Sequence, residues 1–125
     1  MSSVKYTITR RVAVLEIDNP PVNALSHSVR VDLVELFARA QADASAKAVV
    51  LIGAGKTFVA GADIREFGQP PKAPLFIDVQ NSIEACTKPV VAALHGTALG
   101  GGLEIALTCH YRIGLRSVQL GLPEV

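Results

Sequence analysis

A surplus of charge of either sign is missing from this chain. Twelve Lys and Arg stand against eleven Asp and Glu, a formal +1, which removes the basic footprint that nucleic-acid backbones require. Long apolar runs are missing too: none reaches the ~18 residues a membrane helix needs. The opening "MSSVKYTITR" goes straight into strand-like alternation without the apolar core of a signal peptide, so the expected compartment is the cytoplasm. Cysteine is sparse. Cys86 and Cys109 have no CxxC spacing and no paired histidines, which predicts two reduced, packed thiols and neither a disulfide nor a metal site. Internal repeats and low-complexity tracts are absent. What is present is apolar: half the residues are hydrophobic and 18% are charged. That balance excludes disorder, and 125 residues suffice for one domain with a real core.

The pattern of that apolar content alternates between strands and helices. "KYTITRRVAVLEID" predicts two short strands joined near Arg10 and Arg11. "NPPVNAL" interrupts, since two prolines do not fit a central strand. From Ser26, a suitable N-cap, Val29, Leu33, Leu36, Phe37 and Ala40 recur at helical spacing and predict a helix ending near Asp43. "AVVLI" at 48–52 and "VVAAL" at 90–94 are short and continuously apolar, the pattern of strands buried on both faces. Between them, "GAGKTFVAGADI" reads as turns and "GQPPKAP" at 68–74 as a mobile proline loop. Leu75, Phe76, Val79, Ile83 and Cys86 then mark a second helix. The glycines at 100–102 open a third, running to about Cys109, and "YRIGL" is a further strand. Strands alternating with helices mean an α/β domain with a largely parallel sheet.

The junction "VVAALHGTALGGGLEIALTC" places Gly100, Gly101, Gly102 and Glu104 at a strand-to-helix turn. The first N–H groups of a helix lack partners and carry partial positive charge. Glycines let a ligand approach them, so the junction suits a phosphate or a developing oxyanion. Neither a dinucleotide fingerprint nor a Walker loop is matched here, and "GAGKT" at 53–57 lacks the Walker loop's first glycine. The competing reading is that the glycines only permit close helix–strand packing. Glu104, in the first helical turn, adds an acid or base beside the free amides, the minimum needed for chemistry at a carbonyl. A solvated first-turn glutamate is its plain alternative. "FVAGADI" at 58–64 also leaves the carboxyl end of a strand, where parallel sheets line their ligand crevices. Two such loops can each aim one amide at a single oxygen. Glu124 in "LGLPEV" can return over the same crevice, with Pro123 fixing its approach. His95 and His110 read as strand-end or core residues and His27 as a surface one; no Ser-His-Asp order or nucleophile elbow is present.

Taken in order, "NPPVNAL", "FVAGADIREF", "KPVVAALHGTALGGGLEIALTCHYRI" and "LGLPEV" resemble the enoyl-CoA hydratase/isomerase (crotonase) family from about Val12 onward. The wording is most similar to the N-terminal hydratase/isomerase part of multifunctional fatty-acid β-oxidation enzymes, in which a 3-hydroxyacyl-CoA dehydrogenase follows. The resemblance implies a crotonase-type ββα spiral, with residues 1–125 as the N-terminal part of a domain about twice this length. It implies hydration of 2-trans-enoyl-CoA, and isomerisation of 3-enoyl to 2-enoyl-CoA, without metal or organic cofactor. By resemblance, the N–H groups of Ala62 and Gly101 form the oxyanion hole and Glu104 and Glu124 are the catalytic pair. Ala24, Ala60, Asp63, Ile64, Arg65 and Gly100 contact the acyl-CoA, with Arg65 a phosphate partner. A homo-oligomer or fusion to the dehydrogenase is the expected assembly, and a peroxisome the expected compartment in a eukaryote. Arg116 stands where relatives commonly carry a small residue. The alternative is a CoA-thioester-binding or structural piece that keeps these motifs without activity.

Overall fold

The computed structural model describes residues 2–123. The chain opens with a hairpin of β1 (Val4–Thr9) and β2 (Val12–Ile17), in which Thr9 pairs with Val12. Arg10 and Arg11 make the two-residue turn with φ of 50° and 66°. Strand twist favours such left-handed turns, although Asn and Gly adopt them at lower cost than arginine. Next comes α1 (His27–Ala42), with Ser26 as N-cap and Asp43 as C-cap. From β3 onward the chain repeats one unit: a strand for a large sheet, a short strand for a small sheet, then a helix. The large-sheet strands are β3 (Ala48–Gly53), β5 (Val90–Leu94) and β7 (Tyr111–Gly114). Their small-sheet partners are β4 (Val59–Ala60), β6 (Thr97–Leu99) and β8 (Gln119–Gly121). After β4 comes a single 3-10 turn (Ile64–Glu66) and α2 (Phe76–Ala85), and after β6 comes α3 (Gly101–Thr108). The sheets have the orders β1-β2-β3-β5-β7 and β4-β6-β8. Every pairing after the first hairpin is parallel. This is the expected ββα spiral.

The small sheet corrects one expectation. "FVAGADI" and "GTALGG" contain β4 and β6, two and three residues long, too short and too glycine-flanked to show periodicity. A second correction concerns β3 and β5. Val49, Leu51, Val90 and Ala92 are fully buried, but the alternate residues of both strands are only half-buried. Among the described residues, helices cover one face of the large sheet: α1 packs on β1, β2 and α2. The core between them holds Leu15, Ile17, Leu33, Phe37, Val79 and Ile83, all at most 1% exposed. Truncating such a residue, Leu33→Ala for example, costs about 2–5 kcal/mol. Phe58, Val59, Ala98, Ile105 and Ala106 extend this core under α3.

Asn23 ties the loop before α1 to the turn between β3 and β4. It is buried, has φ of 55°, and its Nδ2 lies 2.9–3.0 Å from the carbonyl oxygens of Ala54, Thr57 and Phe58. A short amide that tolerates the left-handed region and donates twice suits this place. Both cysteines are free and buried; burial pushes the Cys109 thiol up to about 12. No helix among the described residues is long and apolar enough to cross a membrane.

Candidate active site

Strand register decides what meets at this site. In the small sheet, Val59 pairs with Ala98 and Ala60 with Leu99, in parallel. Ala62 and Gly101 each follow two residues after the last pair, so both lie past the carboxyl ends of adjacent strands. Gly100 turns the chain with φ of +53° and donates its N–H to the Gly121 carbonyl at 2.9 Å. Gly102 is required by packing, because a Cβ there would stand 2.1 Å from the Val59 carbonyl oxygen. Gly101 is different: a Cβ would meet only the side chains of Phe76 and Leu25, at 3.3 and 3.4 Å. As the first residue of α3 its N–H has no intrahelical acceptor. Among the described residues, neither that N–H nor the one of Ala62 has a hydrogen-bond partner. The packing reading of the glycine run therefore holds for Gly102, while Gly101 keeps an open amide.

The loop bearing Ala62 is braced by "NPPVNAL". Ala60 donates its N–H to the Val22 carbonyl, and Leu25 donates its own to the Gly61 carbonyl, both at 3.0 Å. Ala62 and Asp63 form a ridge between two hollows. One, of about 400 Å³, is walled by Phe67, Leu75 and Phe76. The other, of about 270 Å³, is walled by Pro20, Pro21, Ala24, Ile64 and Arg65. Asp63 points inward, with its carboxylate 7% exposed, and caps the 3-10 turn by accepting the Arg65 N–H. It also holds the Arg65 guanidinium through Nε and Nη2 at 2.9 and 2.8 Å. The bonds from Arg65 hold the Asp63 carboxyl below the usual aspartate range. Asp63 thus has its acceptors committed within the loop, and the rest of the Arg65 guanidinium stays exposed.

Glu104 is exposed in the first turn of α3. It lies three residues after Gly101, hence on the same helix face, and a helical side chain leans back toward the N-terminus, where that amide opens. It lines neither hollow beside Ala62. Glu124 lies outside the described residues. Among those described, no three His, Cys, Asp or Glu side chains cluster as a metal site.

A family model for enoyl-CoA hydratase/isomerase matches residues 7–125. The chain belongs to this family. It is 50% identical over 122 residues to a peroxisomal bifunctional enzyme of Danio rerio, covering 97% of this chain and 17% of that one. A probable enoyl-CoA hydratase of Bacillus subtilis is 40% identical, with 100% of this chain and 51% of the relative covered. The solved enoyl-CoA hydratase of Thermoplasma volcanium superposes with a TM-score of 0.90 at 28% identity, over 99% of this chain and 52% of its own. The chain thus spans about half, or less, of the relatives it matches, and its spiral is of the crotonase type.

Within this crotonase-type frame, the residues that sequence reasoning missed hold the loop after Ala62. Arg30 is 8% exposed on α1. Its guanidinium reaches the carbonyls of Leu25 at 2.7 Å and Pro74 at 2.8 Å and the Glu66 carboxylate at 3.1 Å. Glu66 also accepts the His27 N–H, and the His27 ring meets the Ala73 carbonyl at 2.9 Å. The proline loop, expected to be mobile, is exposed but tied to α1 by these bonds, and His27 is half-buried instead of a surface residue. The signal was an arginine one residue after Val29 on the apolar stripe of α1, where a free cation would not be buried.

Proposed function

We propose that this chain carries the oxyanion site of an enoyl-CoA hydratase acting on 2-trans-enoyl-CoA in fatty-acid β-oxidation. The observation that supports it is the Ala60–Leu99 register, which presents the open amides of Ala62 and Gly101 from neighbouring strand ends. Polarising the thioester carbonyl drains electron density from C3, and the charge gathering on oxygen meets fixed dipoles. Removing one such donor typically costs ~3–4 kcal/mol of barrier. In this reading Glu104 orients and deprotonates the water that attacks C3, and Glu124 delivers a proton to C2. Moving a proton between C2 and C4 with Glu124 gives isomerisation of 3-enoyl to 2-enoyl-CoA. The acyl group lies toward Phe76. The CoA arm passes Ala24, Ala60, Ile64 and Arg65, with Asp63 shaping the loop and Gly100 the turn.

The parent protein is proposed to extend these residues into a complete domain, alone or fused to a 3-hydroxyacyl-CoA dehydrogenase, as homo-oligomer or fusion. The test is loss of the conjugated enoyl-thioester absorbance when the protein, as its gene encodes it, meets crotonyl-CoA. A chelator is expected to leave the rate unchanged, because amides supply the polarisation. Thioester binding without turnover would sink the hydratase reading and leave a binding protein.

A further inference from the structure

We propose that Arg30, with Glu66, is a positioning residue that aims the Ala62 N–H through Leu25 and Gly61. The inference rests on the oxyanion reading of Ala62. One peptide unit connects the two roles: the Gly61 carbonyl and the Ala62 N–H belong to the same planar group and point in opposite directions. Leu25 donates to that carbonyl at 3.0 Å, which fixes the plane and hence the direction of the N–H. The same bond polarises the peptide and strengthens its donor. Leu25 is in turn held by its own carbonyl, on which Arg30 Nη1 sits at 2.7 Å. Nη1 also meets Glu66 at 3.1 Å, and Nε meets the Pro74 carbonyl at 2.8 Å. One fork therefore joins Leu25, which holds the oxyanion loop, to the segment that follows that loop.

Glu66 completes the frame from the far side. Its Oε1 meets Arg30, while Oε2 accepts the His27 N–H at 2.8 Å. His27 is the first residue of α1, so the carboxylate ties the loop to a helix start where it is favoured by the dipole. The segment 61–74 cannot drift from α1 without breaking charge-assisted bonds, the stronger class of protein hydrogen bond. Lysine cannot replace this fork, since its ammonium is a single point where arginine spans separate acceptors.

The experiment compares the protein as its gene encodes it with R30K, R30M and E66A, using crotonyl-CoA turnover at a temperature where circular dichroism shows each variant folded. A second probe is a 2-enoyl-CoA bearing a conjugated electron donor, whose absorption shifts to the red when its carbonyl is polarised. Displacing a reacting group by about 1 Å costs ~10²-fold; R30M is accordingly expected to lose roughly 30-fold or more in kcat with KM changed less than about threefold. The red shift should shrink in parallel, and R30K should resemble R30M. Glu66 is 35% exposed, so E66A is the variant most certain to fold, with an expected loss of about tenfold. A folded E66A with wild-type kcat and full red shift overturns the proposal, as does R30K with wild-type kcat. If the unmodified protein gives neither turnover nor shift, the oxyanion reading itself has failed, and the two failures are told apart.

Discussion

Glu104 shows how little of a residue's role its own position reveals. It is exposed and lines neither hollow, yet it shares a helix face with an open amide one turn away. Glu104→Gln, and equally Glu124→Gln, should cut turnover of crotonyl-CoA by ~10²-fold or more while CoA-ester affinity is unchanged, since acid–base groups contribute 10²–10⁴. Full activity in Glu104→Gln would remove that residue from the reaction. Asp63 couples charge to stability through its bonds with Arg65. Its carboxyl titrates below the ordinary aspartate range because Arg65 bonds to it. A depressed folded-state value means stability that is present above the unfolded value and lost as pH falls through the folded one. The urea midpoint should therefore fall as pH drops below about 4, where free aspartate titrates, and Asp63→Asn should flatten that decline. At Cys109 the direction is opposite: a thiol pushed up to about 12 stays protonated at neutral pH. Native protein should react slowly with a thiol reagent there, and quickly once denatured.

At the scale of elements, the glycine run and the first turn make contrasting cases. A Cβ on Gly102 would collide with the backbone of Val59 at 2.1 Å, where nothing flexible can yield. Gly102→Ala should cost about 3 kcal/mol or more, the upper range of overpacking, read as a lowered denaturant midpoint with unchanged slope. Gly101→Ala meets only side chains and gains helix propensity, so its stability should change by less than about 1 kcal/mol. The hairpin offers the reverse experiment. Arg10 and Arg11 both sit at positive φ, each paying for a left-handed conformation of ~1–2 kcal/mol. Replacing the pair with Asn-Gly should raise stability by about 1 kcal/mol or more, with the strand register unaltered. A lower midpoint in that variant would show that the arginines have partners that matter more than their backbone.

For the whole molecule, the open surfaces dominate. Tyr111, Ile113, Leu115 and Leu120 are 53–68% exposed, and β7 and β8 are edge strands of their sheets. Exposed apolar edges invite pairing between chains. A polypeptide of residues 1–125 alone is therefore expected to self-associate in sedimentation and to leave crotonyl-CoA untouched. A monomeric species turning over crotonyl-CoA within tenfold of a complete relative would refute both expectations.

The elements that sequence determined by itself are those long enough to carry a period. α1 runs from the expected Ser26 cap to Asp43, because Val29, Leu33, Phe37 and Ala40 recur at helical spacing over about three turns. β3 and β5 stand where short apolar runs stand, since β-branched residues favour a pleated surface. The ordered motifs were enough to indicate the family and to nominate Ala62 and Gly101. Tertiary structure decided the rest. β4 forms by pairing with β6, which pairs in turn with β8, and no local pattern announces a two-residue strand. That pairing, and not either loop, sets Ala62 and Gly101 past the ends of adjacent strands. Asn23 and Glu66 are likewise silent in sequence, because such a polar side chain is defined by partners tens of residues away. The physical reason is common to all: propensity acts over neighbours along the chain, while sites are assembled from hydrogen bonds across it.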